Sequence, residues 1–412
     1  MTDNEDLIWL TTTVAARLQD RIDHFHRDRV AGEWGNRHIL HGRGPGPDSV
    51  RVHSNDYLAL SGHPRIAAAM AEALTGRSRI ASGAFLHGEH SQLRLEHALA
   101  EYLRAPGGVL CQSGWDANTG LLQSISDPAT PVYIDYIAHM SLWHGARLAG
   151  SPIHPYRHNS PSHLREQIWR HGPGVIVADS IYSTNGSRCP LAALCEIAED
   201  TGCLLVVDES HSLGIDGPAG SGMVVEQGLV ERVHFRTASL SKAFAGRAGF
   251  VTAGSPEFVD YFKMESYPAV FSSTLLPHDI AGLATTLDVI RDSDQRRHRL
   301  REVSATIRTA LRELGFDLED SDSHIVPVLT GPDSHAIAIR DFLEERGVFG
   351  SPFCPPATSH HRTLIRLSLH AALTDIQVDR IIQACTDIRD TFGAVPHTLR
   401  QQVGPVPATT AP

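Results

Sequence analysis

Short apolar runs and stretches with helical spacing alternate along much of the chain. VLCQS (109–113), VYID ending at Asp135, VIVAD ending at Asp179 and LLVVDES, which carries Asp208 and Glu209, each have the length and composition of a buried strand. Between the last two lies PLAALCEIAEDTG, apolar at helical spacing and closed by Gly202. Such a strand–helix–strand unit predicts a parallel sheet with right-handed crossovers. The carboxyl ends of its strands are where α/β proteins place ligands. Upstream, the pattern predicts a helix from Thr12 to Arg29, followed by the loop HGRGPGPD. After Pro277 the character changes. A long amphipathic stretch (Ala281 to Leu314) leads to strand-like HIVPVLT, the helix AIAIRDFLEERG, strand-like TLIRLSLH and the helix DIQVDRIIQACTDIRDTF. The expected organisation is therefore an N-terminal helical segment (1–50), a large α/β domain with a mostly parallel sheet (51–280) and a smaller α+β domain (281–392). The tail 393–412 has too much proline and too little apolar surface to pack, and is expected to be disordered.

Composition narrows the classes of function. The 412 residues are 42% hydrophobic and 20% charged, ordinary for a chain with a sizeable core. A formal net charge of −11 argues against a nucleic-acid partner and against attraction to an anionic membrane. No apolar run approaches the ~20 residues of a membrane span, and the acidic, polar start MTDNEDLIWL does not resemble a secretory signal. The six cysteines (Cys111, Cys189, Cys195, Cys203, Cys354 and Cys385) show no C-x-x-C spacing, which fits free thiols in a reducing cytoplasm. Lys242 and Lys263 are the only lysines among 36 basic residues. Guanidinium cannot replace an amine that must lose its proton and form a carbon–nitrogen bond. Only two positions can therefore carry amine chemistry.

Lys242 lies in TASLSKAFAGRAGF after the β-like run HFRTAS, flanked by Ser239, Ser241, Ala243 and Ala245. Small neighbours leave room for a flat ligand, and hydroxyls can hold phosphate oxygens; a surface lysine in a turn is the bland alternative. Asp208, at the end of an apolar strand, needs a cation or several donors. A protonated pyridine nitrogen would serve, as would an ordinary structural ion pair. His211 can turn a ring nitrogen into the same pocket. QSGWDANTG opens a helical run after a strand, so its backbone N–H groups can face a phosphate. His139 follows VYID, where its ring could lie flat over a cofactor or merely cap a helix. Other chemistries find no support, since phosphate-loop, nucleophile-elbow and H-E-x-x-H motifs are missing. The pairs His87/His90 and His24/His26 lack further ligands at metal spacing, so no metal site is expected. GIDGPAGSG does not fit G-x-G-x-x-G and reads as a turn-rich loop.

SNDYLAL (54–60), SGWDAN (113–118), DESHSLGIDGPAGSG (208–222), SLSKAF (239–244) and FSSTLLP (271–277) have the order and spacing of the α-oxoamine synthases. These are fold-type-I pyridoxal 5'-phosphate enzymes, built like aspartate aminotransferase, that condense an amino acid with an acyl-CoA. The resemblance covers roughly Arg51 to Leu369. YIDYIAHMSLWHGAR, WRHGPG, DSIYSTNG and VFGSPFCPPATS are most similar to the branch that makes α-hydroxyketone quorum-sensing autoinducers. The resemblance implies that Lys242 is the Schiff-base lysine and later the proton carrier, and that Asp208 pairs with the pyridine nitrogen. It implies that His211 and Ser183 reach the ring oxygen, that His139 stacks on the ring, and that Ser239 with the backbone of Gly114 and Trp115 holds the phosphate. Ser272 and Ser273 match positions that reach the phosphate from a partner subunit, which implies a homodimer. Asn55 and Arg366 match groups that hold the amino-acid carboxylate, a task suited to the forked guanidinium.

Two segments depart from the family pattern. The glycine-rich stretch is here RSRIASGAFLHGEHSQLRLE, and the Met-Asp-Gly-Asp loop is replaced by Thr184-Asn185-Gly186-Ser187. Both line the substrate entrance in the family, and the autoinducer branch shares similar departures. The resemblance thus implies condensation of a medium-chain fatty acyl-CoA with a small donor, such as 2-aminobutyrate or S-adenosylmethionine, to an α-aminoketone. The alternatives are another α-oxoamine synthase (of the 8-amino-7-oxononanoate or 2-amino-3-ketobutyrate type), an aminotransferase, a non-catalytic cofactor-binding regulator and a histidine-based metal hydrolase.

Overall fold

The computed structural model describes residues 13–76, 86, 90–359 and 362–393. The tail beyond Gly393, His87 and most of the glycine-poor stretch lie outside the described residues. The chain opens with helix α1 (Val14–His24), capped by the Thr13 side chain, which accepts from the Ala16 N–H. It runs on past the expected end as π-helical turns from Phe25 to Glu33. Trp34 closes these turns, its N–H donating to the Arg29 carbonyl five residues back, and its indole N–H donates to Asp333 at 3.1 Å. The docking of Trp34 sets where the helix stops.

Strand β1 (Val50–Arg51) precedes a large sheet built from β2 (Gly107–Cys111), β3 (Val132–Asp135), β4 (Ile153–Tyr156), β5 (Val175–Asp179), β6 (Leu204–Asp208), β7 (Phe235–Ser239) and β8 (Gly249–Ala253). The spatial order is β2-β8-β7-β6-β5-β3-β4, and only β8 runs against its neighbours. The expected α/β class with a mostly parallel sheet is therefore what forms. Helix α2 (Gly114–Ile125) follows β2, α3 (Met140–Leu148) follows β3, and α4 (Leu191–Thr201) joins β5 to β6. The central strands are buried on both faces, which is why they read as continuous apolar runs rather than alternating ones. Gly202 ends α4 in the left-handed region at φ 69°, a conformation other residues adopt at a cost. VLCQS forms a strand two residues earlier than expected, because Ser113 is taken as the cap of α2.

The 281–314 pattern is not one helix but two, α5 (Pro277–Arg291) and α6 (Asp294–Glu313). At the break the Ser293 hydroxyl donates back to the Val289 carbonyl at 2.6 Å. The fully buried Arg297 guanidinium donates to the Ile290 carbonyl at 2.7 Å. These two donors satisfy helix-end carbonyls that periodicity alone cannot reveal. Beyond lie β9 (Ile325–Gly331), α7 (Asp333–Glu345), β10 (Val348–Phe349), β11 (Ser351–Phe353), β12 (Thr363–Ser368) and α8 (Asp375–Phe392). Strands β11, β12 and β9 form an antiparallel sheet, while β10 pairs in parallel with β1. The N-terminal segment is thus fastened to the C-terminal layer. Arg340 donates to the Ile39 carbonyl at 2.6 Å, and Arg37 pairs with Asp341 at 3.1 Å.

This topology sets up the site. The carboxylates Asp135, Asp179 and Asp208 are the last residues of the adjacent parallel strands β3, β5 and β6, with Asp179 in register with Asp208. Asp135 and Asp179 flank the point where the strand order reverses, between β3 and β5, and Asp208 ends the next strand; α/β sheets place ligands beside such a point.

Candidate active site

Asp208 is buried, with both carboxylate oxygens fixed by neutral donors. The Asn118 amide donates to Oδ2 at 2.7 Å, and the Ser210 N–H donates to Oδ1 at 2.8 Å. Lys242 lies in the turn after β7. That turn is held by the Ser239 N–H donating to the Ser210 hydroxyl at 2.7 Å and by the Ala245 N–H closing on the Lys242 carbonyl at 2.9 Å. Among the described residues Lys242 has no ion-pair partner. Burial lowers its pKa from 10.5, the positive charge of Arg366 lowers it further, and Asp208 opposes both. A larger fraction of neutral amine at working pH follows. The other lysine is settled differently, since Lys263 pairs with the buried Glu96 at 2.8 Å.

His211 is buried, and its Nδ1 meets the Tyr57 hydroxyl at 2.7 Å. Burial first, then the charges of Lys242 and Arg366, push it well below the ordinary histidine value. His139 caps the start of α3, with its backbone N–H donating to Asp179 at 3.1 Å. Its ring is exposed to the cleft, edge-on to Trp115 at 6.1 Å between centroids. His139 thus caps a helix, with its side chain exposed.

Gly114 and Trp115 begin α2, whose cap Ser113 accepts from the Asp116 N–H at 3.1 Å. A Cβ at Gly114 would stand 2.5 Å from the Cβ of Ser239, so only glycine lets these two turns touch. That contact puts the first N–H groups of α2 beside the Ser239 hydroxyl, an anion-binding arrangement. Across the cleft, Arg366 on β12 is buried. It donates to the Asn55 side-chain oxygen at 3.0 Å and to the Ser183 carbonyl at 2.8 Å, and its guanidinium lies 4.5 Å over the Phe353 ring. Among the described residues, its buried Nε has no hydrogen-bond partner. Ser183 therefore serves Arg366 through its backbone. Ser272 is half-buried and Ser273 exposed, beside Gln112, whose side-chain amide donates to the Ser273 carbonyl.

The Thr184–Ser187 turn is fixed from below. His158 bridges Asp135 at 3.0 Å and the fully buried Ser187 hydroxyl at 2.8 Å, and Gly186 (φ 71°) packs so tightly that a Cβ would overlap the Ile325 carbonyl. Three participants went unrecognised in the sequence: Asn118, Asp179 and Tyr57. Asp179 carried the same signal as Asp208, a carboxylate ending an apolar strand. Asn118 and Tyr57 stood inside quoted motifs but have side chains of common structural use. Among the described residues no group of three or more His, Cys, Asp or Glu could hold a metal. His90 caps a helix by accepting from the Gln92 N–H at 3.2 Å. All six cysteines are free.

The donor set fits pyridoxal phosphate. The chain combines a buried carboxylate bound only by neutral donors, a lysine amine within its electrostatic reach, a glycine-shaped anion cradle on the lysine's turn and a buried guanidinium. The profile described as aminotransferase class I and II matches residues 47–385. The CAI-1 autoinducer synthase of Vibrio campbellii is 43% identical over 92% of this chain and 96% of its own. The chain belongs to this family. Within it, the chain is an α-oxoamine synthase, a pyridoxal-phosphate enzyme of the acyltransferase type. The 8-amino-7-oxononanoate synthase of Pseudomonas paraeruginosa is 32% identical over 80% of this chain and 83% of its own. The fold is that of the Sphingomonas wittichii serine palmitoyltransferase, with a TM-score of 0.83 at 24% identity over 93% of this chain and 100% of that one. None of the described helices is long and apolar enough to cross a membrane.

Proposed function

We propose that this enzyme condenses a small amino acid with a medium-chain fatty acyl-CoA, releasing CoA and CO2 and leaving an α-aminoketone for an autoinducer-type signal or a related metabolite. The observation that carries this reading is the pairing of a Lys242 amine whose proton affinity burial lowers with a buried Asp208 carboxylate, bound only by neutral donors, that acts on it electrostatically. Pyridoxal phosphate, when bound, supplies the electron sink that makes the donor's α-proton removable.

The chain's residues do the rest. Asn55 and Arg366, already hydrogen-bonded to each other, bind the donor's carboxylate. The Lys242 Nζ, its proton affinity lowered by burial, takes the α-proton and later returns it. Asp208 would pair with the pyridine nitrogen, and Ser239 with the N–H groups of Gly114 and Trp115 would hold the phosphate. Ser183 and His211 would hold the ring oxygen of the cofactor, and His139 would stack on its ring. In a homodimer, Ser272 and Ser273 reach the phosphate of the neighbouring subunit. Exposed Phe271 (82%) and Tyr267 (64%) on the same segment suit such burial. Free thiols and an acyl-CoA substrate suit a reducing, cytoplasmic setting.

The test is incubation with a panel of acyl-CoAs and amino acids, with thiol release and product mass followed together. Thiol release that needs both substrates, and peaks with medium-chain acyl groups, supports the proposal. Conversion of a keto acid with no thiol release makes the protein an aminotransferase instead.

A further inference from the structure

Helices α2 and α3 approach so closely that a Cβ at Gly145 would lie 3.0 Å from the Asn118 carbonyl and 3.0 Å from the Leu122 Cβ. Four residues before Gly145, on the same face of α3, stands Ser141, fully buried. The close approach lets the buried Asn118 amide reach three partners. Its Nδ2 donates to Asp208 Oδ2 at 2.7 Å and to the Ser141 hydroxyl at 2.8 Å, while its Oδ1 accepts from Thr237 at 2.5 Å. The amide orientation is forced, because an ionised carboxylate can only accept. From Ser141 the chain of bonds continues to His139 Nδ1 at 2.7 Å.

Hydrogen counting then settles the histidine. The Ser141 backbone N–H points at His139 Nδ1 at 3.3 Å, and an N–H cannot accept, so Nδ1 carries the lone pair. The Ser141 hydroxyl, having accepted from Asn118, turns its own hydrogen to the same nitrogen. The imidazole proton must therefore sit on Nε2. Desolvation lowers the proton affinity of His139 against the pull of Asp208, which favours the neutral ring.

We propose that Asn118 and Ser141 are positioning residues that lock His139 in its Nε2–H form and couple it to Asp208, so that the group above the cofactor ring and the group opposite its nitrogen act as one hydrogen-bonded unit. The proposal rests on the reading of Lys242 and Asp208 as the cofactor site. Removing the Asn118 donor makes Asp208 hold a proton more strongly. The cofactor nitrogen then becomes less cationic, and the visible-absorption pH midpoint of the lysine-bound cofactor moves upward.

The experiment uses holoenzyme labelled with ¹⁵N-histidine, the His139 signals being assigned by loss in His139→Gln. Wild type gives the Nε2–H pattern. Asn118→Ala and Ser141→Ala give mixed tautomers, and Ser141→Thr, which keeps the hydroxyl, restores the single form. Asn118→Ala also raises the absorption midpoint by a pH unit or more and slows donor α-proton exchange at least 30-fold, with donor KM changing less than threefold. An unchanged tautomer and midpoint in folded, cofactor-loaded Asn118→Ala and Ser141→Ala overturn the proposal. If Asn118→Ala does not fold, Ser141→Ala alone decides by its tautomer. No acyl donor enters these measurements, so a wrong assignment of the overall reaction leaves them readable. A wild-type protein that holds no cofactor on Lys242 fails the site reading separately.

Discussion

Lys263 and Glu96 form an ion pair at 2.8 Å, and this bond separates the chain's two lysines by role. Glu96 also accepts from the Leu110 N–H at 3.0 Å and the Gln92 amide at 3.2 Å, so Lys263 completes a buried cluster at the root of β2. Lys242 has no such partner among the described residues. Lys242→Ala should give a folded, colourless protein with no condensation. Lys263→Ala should stay yellow but lose about 3 kcal/mol of stability, because it strands a buried carboxylate. Absorption spectra and thermal melts of the two variants check both halves. A borohydride-reducible chromophore surviving in Lys242→Ala contradicts the assignment.

Asp208→Asn keeps the size of the side chain but removes the charge proposed to face the pyridine nitrogen and leaves one acceptor for the two N–H donors of Asn118 and Ser210. Cofactor should remain bound, while exchange of the donor's α-proton should slow by about 10²–10³-fold, the range for losing one preorganised electrostatic contact. Deuterium exchange in the absence of acyl-CoA measures this step alone. A near-normal exchange rate would mean that the carboxylate does not hold the ring cationic.

How much of this was legible in the sequence depended on the range of the interaction. Strands β3, β5 and β6 were readable because both faces are buried, and their terminal aspartates because an apolar run ending in a carboxylate demands a reason. The α5–α6 break was not readable, since it depends on Arg297 reaching the Ile290 carbonyl from the next helix. Asn118 escaped for a similar reason. Its partners come from β6, β7 and α3, three elements whose meeting only the folded sheet reveals. Arg366 and Asn55, more than three hundred residues apart, were proposed together only through the family resemblance, and the structure bonds them at 3.0 Å.

Gly114→Ala tests whether the phosphate cradle needs contact between the two turns. The new methyl would stand 2.5 Å from the Ser239 Cβ and 2.8 Å from its Cα, distances that require backbone movement of α2 or of the Lys242 turn. The expected cost is roughly 1–3 kcal/mol of stability, as for other overpacked sites, together with weaker cofactor retention. Dialysis against cofactor-free buffer, followed by absorption, reads the retention. A variant that melts lower yet keeps its cofactor as firmly as wild type would leave the turn structural and move the phosphate elsewhere.

The acid limb of stability should carry the signature of a buried neutral histidine. His324 is buried edge-on against the Tyr57 ring at 4.0 Å, and desolvation, reinforced by Arg188, Arg308 and Arg366, pushes its pKa from 6.5 down to about 3. His211 shifts in the same direction. A base whose folded pKa lies below its unfolded value binds more protons when unfolded. The stability it lends is complete above about pH 6.5 and drains away as the pH falls toward 3. Stability from urea melts should therefore decline steadily between pH 6.5 and 4, and His324→Gln should show a shallower decline across that window. If the two slopes coincide, His324 is not held neutral by the fold, and the loss belongs to other groups.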